Sequence, residues 1–180
     1  MGPRSKPCLH YEGAFEDYLR RRGLPYVAVD ESRQALFAGA KLKSFDFVVY
    51  RPEGRNLLVD VKGRICRPPR PGRSTSATGP RQPALQNWAT RKDIDDLRQW
   101  EEIFGGGFQA VFVFAYFWTE EPETAPFGDL FSFQNRWYAM LTISISAYRE
   151  HMRARSEAWG TVHLPTADFR RLAKPFEEWL

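Results

Sequence analysis

The chain has 180 residues, 43% of them hydrophobic and 15% aromatic, which is enough for a packed core and excludes a globally disordered protein. This length favours a single domain over residues 1–180. The net charge of +4 and the isoelectric point near 9.2 are only mildly basic, so a polyanion-binding surface would have to come from a local concentration of charge.

Cysteines and apolar runs indicate the compartment. Cys8 and Cys66 form no CxxC motif, and two distant cysteines are not a disulfide framework. The first ten residues lack the apolar stretch of a signal peptide. The longest apolar run, Phe108 to Trp118, is well short of the ~18 residues that a membrane span needs. We therefore expect a soluble, cytoplasmic protein with no membrane partner.

The first predicted element is an amphipathic helix over residues 10–23, which Gly23 can end. Glu12 falls on the margin of its apolar stripe and Glu16 lies one turn later, so either carboxylate could face a cleft at the edge of the core. A short strand over residues 26–30 follows. The apolar side chains of the helix follow helical spacing at Tyr11, Phe15, Tyr18 and Leu19.

Two strands come next, joined by a short turn within residues 45–61 that contains proline and glycine. If the turn is centred on Glu53, Asp46 lies opposite Asp60. Lys62 then shares the face of Asp60, because side chains alternate along a strand. Opposed carboxylates repel each other, so we expect a cation between them. A divalent metal with Lys62 beside it is the simplest arrangement, and it points to metal-assisted hydrolysis.

An arginine-rich segment, residues 64–86, follows the second strand and is also rich in proline. This composition predicts an irregular, mobile loop. Its five arginines, with no acidic residue among them, leave a charge of −1 for the rest of the chain. The loop could contact nucleic-acid phosphates, or it could be a disordered insertion kept soluble by its charge. The arginines are Arg64, Arg67, Arg70, Arg73 and Arg81.

A second helix and a buried strand complete the predicted core. Residues 90–93 resemble a capping box, and apolar residues at helical spacing lead from there to a stop at Gly105. Residues 109–118 are apolar almost without alternation, which is typical of a central strand covered on both faces. The predicted order over residues 10–118 is therefore helix, three strands, helix, strand.

Residues 119–180 are predicted to form a C-terminal extension of this core. A hairpin within it turns at Asn135, and a closing helix over residues 169–180 is interrupted at Pro175.

Asp46, the Asp60-Val61-Lys62 tripeptide and a glutamate on the preceding helix together resemble the PD-(D/E)XK nuclease superfamily. The resemblance is greatest to its Holliday-junction resolvase-like and restriction-endonuclease-like members. It implies an α/β restriction-endonuclease-like core of order α-β-β-β-α-β, with a central mixed sheet flanked by helices, and a C-terminal β-hairpin and helix extension. Phe45 stands where some members have proline, and Asp60 replaces the commoner glutamate; both departures lie within the variation of the superfamily.

The same resemblance implies a Mg²⁺ site, at which Mn²⁺ would substitute. Asp46, Asp60 and the backbone carbonyl of Val61 would be its ligands. Glu12 would act through a water molecule on the metal, with Glu16 as the alternative. Carboxylate and carbonyl oxygens are the ligands that Mg²⁺ prefers.

Lys62 would orient or help deprotonate the attacking water and offset charge on the phosphate, so the expected catalytic residues are Glu12, Asp46, Asp60 and Lys62. The resemblance thus implies a metal-dependent DNA endonuclease that acts in repair or recombination. Branched or otherwise structured DNA is its expected substrate. The resemblance also implies a homodimer. Two alternatives stay open: a catalytically inactive DNA-binding or assembly module with the same fold, and a restriction-type or RNA-directed nuclease.

Overall fold

The computed structural model describes residues 9–30, 35–37, 40–66, 85–118, 121–122 and 130–180. In chain order the elements are α1 (Leu9–Arg21), β1 (Tyr26–Ala28), β2 (Ala35–Phe37), β3 (Ala40–Leu42), β4 (Phe47–Val49), β5 (Asn56–Ile65), β6 (Ala89–Thr90), α2 (Arg91–Phe104), β7 (Phe108–Trp118), β8 (Leu130–Phe133), β9 (Arg136–Ser144), α3 (Ile145–His151), β10 (Arg153–Ser156), β11 (Thr161–His163), α4 (Thr166–Leu172), β12 (Lys174–Pro175) and a 3₁₀ turn (Phe176–Trp179).

The largest sheet is mixed and has the strand order β1-β4-β5-β7-β9-β12, with β8 paired to β9. β5 and β7 are parallel along their whole paired length, and the other neighbours are antiparallel. Two smaller sheets pair β10 with β11 and β6, and β2 with β3. The order helix, three strands, helix, strand is preserved among the main elements, and the short strands β2, β3 and β6 were not predicted from the sequence.

The main sheet is covered on both faces, which explains why β7 is apolar without alternation. Residues 111–118 are all buried. One core, on the α2 and α3 side, contains Leu58, Phe112 and Tyr148. The other, on the α1 side, contains Phe15 and Val59. Alternate residues of β5 therefore belong to opposite cores.

The predicted hairpin forms β4 and β5. The paired positions run from Val49/Leu57 to Phe47/Val59, a register centred on Glu53. Gly54 has a φ of 77°, a left-handed backbone conformation that glycine adopts without steric cost.

The second helix begins as predicted. Thr90 is its N-cap and accepts a hydrogen bond from the amide of Asp93, whose carboxylate accepts one from the amide of Thr90. Gly105 ends the helix, with its amide donating to the carbonyl of Glu101.

The C-terminal region contains the predicted hairpin together with α3, β10 and β11, which were not predicted from the sequence. The hairpin turns at Gln134 and Asn135, both left-handed, as expected. The predicted closing helix is interrupted at Pro175 as expected, but α4 begins earlier and ends at Leu172, β12 covers Lys174–Pro175, and only a 3₁₀ turn follows. Proline has no amide hydrogen and cannot continue a helical ladder, and the segment instead pairs with β9 at the sheet edge. Among the described residues, no helix is long and apolar enough to span a membrane.

Candidate active site at the ends of β4 and β5

Asp60 and Lys62 form a buried ion pair on one face of β5. Lys62 Nζ lies 2.7 Å from Asp60 Oδ2, and both side chains are about a tenth exposed (12% and 8%). The ammonium also lies 5.4 Å from the ring centroid of Phe112. The shared face is the one that strand alternation predicts. A buried ammonium beside a carboxylate keeps a positive charge available in a weakly solvated setting.

Asp93 is a second acidic partner of Lys62. Its Oδ2 lies 3.3 Å from Lys62 Nζ, and its Oδ1 lies 2.7 Å from Lys43 Nζ. Burial alone would raise the pKa of Asp93, but the charges of Lys62 and Lys43, with hydrogen bonds from Lys43 and Thr90, hold it well below its usual range. Asp93 is therefore ionised at neutral pH and fixes the position of both ammonium groups.

Lys43 closes this network from the loop before β4. Its backbone is held against α2, since the Lys43 amide donates to Asp96 and the Lys43 carbonyl accepts from the Trp100 indole. Burial would lower the pKa of Lys43, but Asp60 and Asp93 together raise it above the usual lysine value. Two lysines and two aspartates thus alternate across the α2 side of the sheet.

Asp46 sits at the start of β4 and turns its side chain to the neighbouring strand. Its Oδ2 accepts a hydrogen bond of 2.5 Å from the amide of Val61, and the residue is 6% exposed. Regular pairing stops one step before the Asp46/Asp60 position, because the Asp46 amide donates to the carbonyl of Val59. The two carboxylates that the register predicted to be opposed therefore have separate partners. Asp46 accepts from the Val61 amide, and Asp60 pairs with Lys62.

A cavity of about 180 Å³ adjoins Asp46 on the α1 side, and both candidate glutamates line it. Glu16 Oε1 accepts hydrogen bonds from Arg20 at 2.6 Å and from the Tyr26 hydroxyl at 2.7 Å. Glu16 is therefore committed to a surface network. Glu12 is one turn closer to the N-terminus and lines the same cavity beside Asp46.

Asp46 and Asp60 both adjoin the peptide unit between Asp60 and Val61. The Asp46 carboxylate accepts a hydrogen bond from the nitrogen of this peptide, and Asp60 contributes the carbonyl of the same peptide. Among the residues that the structure describes, no three His, Cys, Asp or Glu side chains form a metal-binding group. Two carboxylates with a backbone carbonyl nevertheless fit Mg²⁺, which commonly takes one or two carboxylates and keeps several waters.

Arg64 lies on β5, not in the loop where the sequence analysis placed it. It is 9% exposed, its guanidinium lies 4.3 Å from the ring centroid of Trp88, and it donates to the carbonyls of Gly63 and Trp88. Burial lowers its pKa. β5 continues to Ile65 and therefore includes Arg64. The contacts with Trp88 and Gly63 hold the Arg64 side chain in the interior. The other predicted contact residues, Arg67, Arg70, Arg73 and Arg81, lie outside the described residues.

Sequence reasoning missed Lys43 and Asp93 as members of the site. In the sequence, Asp93 is identifiable only as the fourth residue of the capping box, which locates it in the first turn of α2. The packing of α2 against the sheet brings it to Lys62. Nothing in the local pattern of Lys43 indicates that it approaches Asp60.

The fold is similar to that of a solved protein. The match is to a 1.6 Å structure of Hjc, a Holliday junction resolvase from the archaeal hyperthermophile Archaeoglobus fulgidus, with a TM-score of 0.54 and 12% sequence identity. It covers 95% of this chain and 98% of that chain. No protein-family model and no curated protein matches this sequence. The comparison confirms the predicted restriction-endonuclease-like α/β class, a central mixed sheet flanked by helices.

Proposed function

We propose that this protein is a metal-dependent endonuclease that hydrolyses phosphodiester bonds in branched DNA, in repair or recombination. The observation that carries the proposal is the placement of Asp46, Asp60 and Lys62 around the peptide between Asp60 and Val61. The Asp46 carboxylate accepts a hydrogen bond from the Val61 amide, and Lys62 Nζ lies 2.7 Å from Asp60 Oδ2. The fold shared with a protein described as a Holliday junction resolvase supports the choice of substrate.

Phosphodiester hydrolysis needs a positioned water and stabilisation of the charge that develops on the phosphate. Asp46, Asp60 and the Val61 carbonyl would hold Mg²⁺ or Mn²⁺, with Glu12 reaching it across the cavity. When bound, the ion would supply Lewis-acid stabilisation of the phosphate oxygens. Lys62 adds a second positive charge at the same place and is oriented by Asp60 and Asp93.

Neighbouring groups hold Lys62 and Asp46 in position for this chemistry. Asp93 holds the ammonium from the α2 side, so the lysine stays near Asp60 without depending on a metal. Asp46 is held by the Val61 backbone amide, which orients its carboxylate. The arrangement is therefore prepared before the substrate arrives, which reduces the cost of reorganisation.

The deciding experiment measures cleavage of four-way and linear DNA while Mg²⁺ or Mn²⁺ is titrated. Wild type should cut the four-way substrate only with metal, and Asp60→Ala should reduce the rate by about 100-fold or more. Asp95→Ala, an exposed carboxylate on α2, is the matched control and should keep wild-type activity. Metal-dependent cutting that survives Asp60→Ala would refute the assignment.

A second candidate is a DNA-binding or assembly module without catalysis. Among the described residues no three His, Cys, Asp or Glu side chains are grouped so that they could hold a metal, and this favours such a module. Such a module would bind four-way DNA with and without metal and never cut it. Cleavage of RNA in place of DNA would instead identify the RNA-directed alternative.

A homodimer would suit a substrate with two-fold symmetry. Light scattering of the protein alone and with four-way DNA measures this directly. A monomer in both states would remove the dimer from the proposal and leave the catalytic assignment unchanged.

A further inference from the structure

The hairpin formed by β10 and β11 carries an unusually exposed tryptophan. Trp159 lies in its turn and is 81% exposed, more than any other large hydrophobic side chain among the residues that the structure describes. Isolated exposed apolar residues are common, but indole is the side chain most costly to leave in water. A flat aromatic surface of this size is suited to a planar partner.

The hairpin is joined to the candidate active site through α2. β11 pairs with β6, with Thr161 opposite Thr90, and the amide of Arg91 donates to the carbonyl of Gly160 at 2.9 Å. Thr90 caps the helix whose first turn carries Asp93, the partner of Lys62. Trp159 therefore directly precedes Gly160, the residue that contacts the start of α2, and this end of α2 is the one that carries Asp93.

Two arginines precede this turn in the same hairpin. Arg153 and Arg155 are exposed on β10, and neither forms an ion pair with a described residue. A register shift between Ala154 and Ser156 places Arg155 in a bulge, a feature that redirects a side chain. Its guanidinium lies 5.4 Å from the ring centroid of Trp88.

Arg155 and buried Arg64 contact the same indole, so two guanidinium groups connect the hairpin to the strand that carries Lys62. Glu157 is the single acidic residue of residues 153–163, whose two arginines leave a net charge of +1 with histidine neutral. Aromatic surface beside unpaired cations is the combination that binds single-stranded nucleic acid.

Resting on the proposed function, we propose that the β10–β11 hairpin is a DNA-docking arm, in which Trp159 stacks on an unpaired base and Arg155 receives an adjacent phosphate. The base must be unpaired, because both faces of a base inside a duplex are already stacked. The arm would thereby favour branched or partly single-stranded DNA over intact duplex. The charge of the surroundings favours this occupant over an apolar protein surface.

The test is DNA binding without metal, which separates it from catalysis. Fluorescence anisotropy in EDTA compares a duplex carrying a single-stranded tail with a blunt duplex of the same length. Trp159→Ala should weaken binding of the tailed DNA about tenfold and leave blunt duplex nearly unchanged. Trp159→Phe keeps an aromatic face and should recover most of the affinity.

Two further variants complete the design. Arg155→Ala should weaken both DNAs and reduce the slope of log affinity against log salt by about 1. Ile103→Ala, an exposed apolar residue near the far end of α2, is the control and should change neither.

Equal affinity of Trp159→Ala and wild type for tailed DNA would overturn the inference, as would absence of wild-type binding. A change of oligomeric state in Trp159→Ala by light scattering, with DNA affinity unchanged, would assign the surface to protein contact instead. If tailed DNA binds through Trp159 but four-way DNA is never cut with Mg²⁺, the proposed function fails and the docking arm stands.

Discussion

Lys62 has two acidic neighbours with different tasks. Asp60, on its own strand, is a candidate metal ligand, whereas Asp93 reaches it from α2 and also holds Lys43. Held between these two carboxylates, Lys62 is placed to act as an electrostatic group beside the Asp60–Val61 peptide.

Replacing Lys62 by alanine should lower the cleavage rate by about 100-fold, because it removes the positive charge nearest the Asp60–Val61 peptide. Single-turnover cleavage at saturating metal measures the effect. Lys92→Ala is the control, since Lys92 is 64% exposed and pairs with Asp96 away from Asp60. Comparable loss in both variants would show that general electrostatics, and not Lys62 itself, drives the reaction.

Asp93 should make the free energy of unfolding fall at low pH. Its pKa is lowered in the folded state, so its contribution is complete above the unfolded value near 3.9 and is lost as pH falls further. Asp93→Asn should reduce the free energy of unfolding by about 3 kcal/mol at pH 7, since it leaves two ammonium groups with one fewer partner. Urea unfolding of both proteins between pH 7 and pH 3 measures the difference.

The difference in free energy of unfolding between wild type and Asp93→Asn should narrow as the pH approaches 3, because Asp93 takes up a proton in the unfolded state while it stays ionised in the folded state. Parallel stability curves over that range would contradict the assignment of the lowered pKa to Asp93.

At the scale of elements, the contact between α1 and β5 sets the position of Glu12 relative to Asp46. Gly63, one residue beyond Lys62, faces the ring of Tyr11 on α1, and an added Cβ would lie 2.1 Å from Tyr11 Cδ2. The strand therefore lacks a side chain where the helix crosses it. This close approach brings the carboxylate-bearing side of α1 to the end of β4.

Gly63→Ala should move Tyr11 or the first turn of α1 and cost about 2 kcal/mol of stability by overpacking. Thermal and urea unfolding measure the cost, and a metal titration tests whether the displacement reaches Glu12. Gly107→Ala is the matched control, because its added Cβ meets no atom within 4 Å. Unchanged stability of Gly63→Ala would show that the ring moves aside freely.

At the scale of the molecule, the C-terminal segment completes the α1 side of the sheet. β12 pairs with β9, and the following Phe176 is fully buried, with its ring centroid 5.0 Å from that of Phe15 and 5.8 Å from that of Tyr18. Arg51, in the β4–β5 turn, donates to the carbonyl of Trp179. The predicted extension is therefore part of the sheet and core that hold the site.

Phe176→Ala should lower the free energy of unfolding by about 3–5 kcal/mol, because it leaves a cavity beside α1. Urea denaturation followed by circular dichroism measures it. Phe104→Ala, at a side chain 38% exposed, should cost clearly less. Equal costs would mean that the end of the chain does not contribute to this core.

Local sequence patterns were sufficient for the parts of the fold that depend on neighbours in sequence. Strand alternation placed Lys62 beside Asp60, the position of the turn gave the register about Glu53, and the capping box located the start of α2 at Arg91. Each of these follows from backbone geometry over a few residues, so no distant contact is needed to predict it.

Tertiary structure alone decided which distant groups meet. The sequence contains no local sign that Asp93 would hold Lys62, that the Asp46 carboxylate would turn to the Val61 amide, or that Arg64 would be buried on Trp88. These contacts join residues 15 to 31 positions apart along the chain, and packing of α2 and the neighbouring strands brings them together. Residue type and spacing fix the chemistry that is present, whereas the direction of each side chain depends on the packed neighbours that surround it.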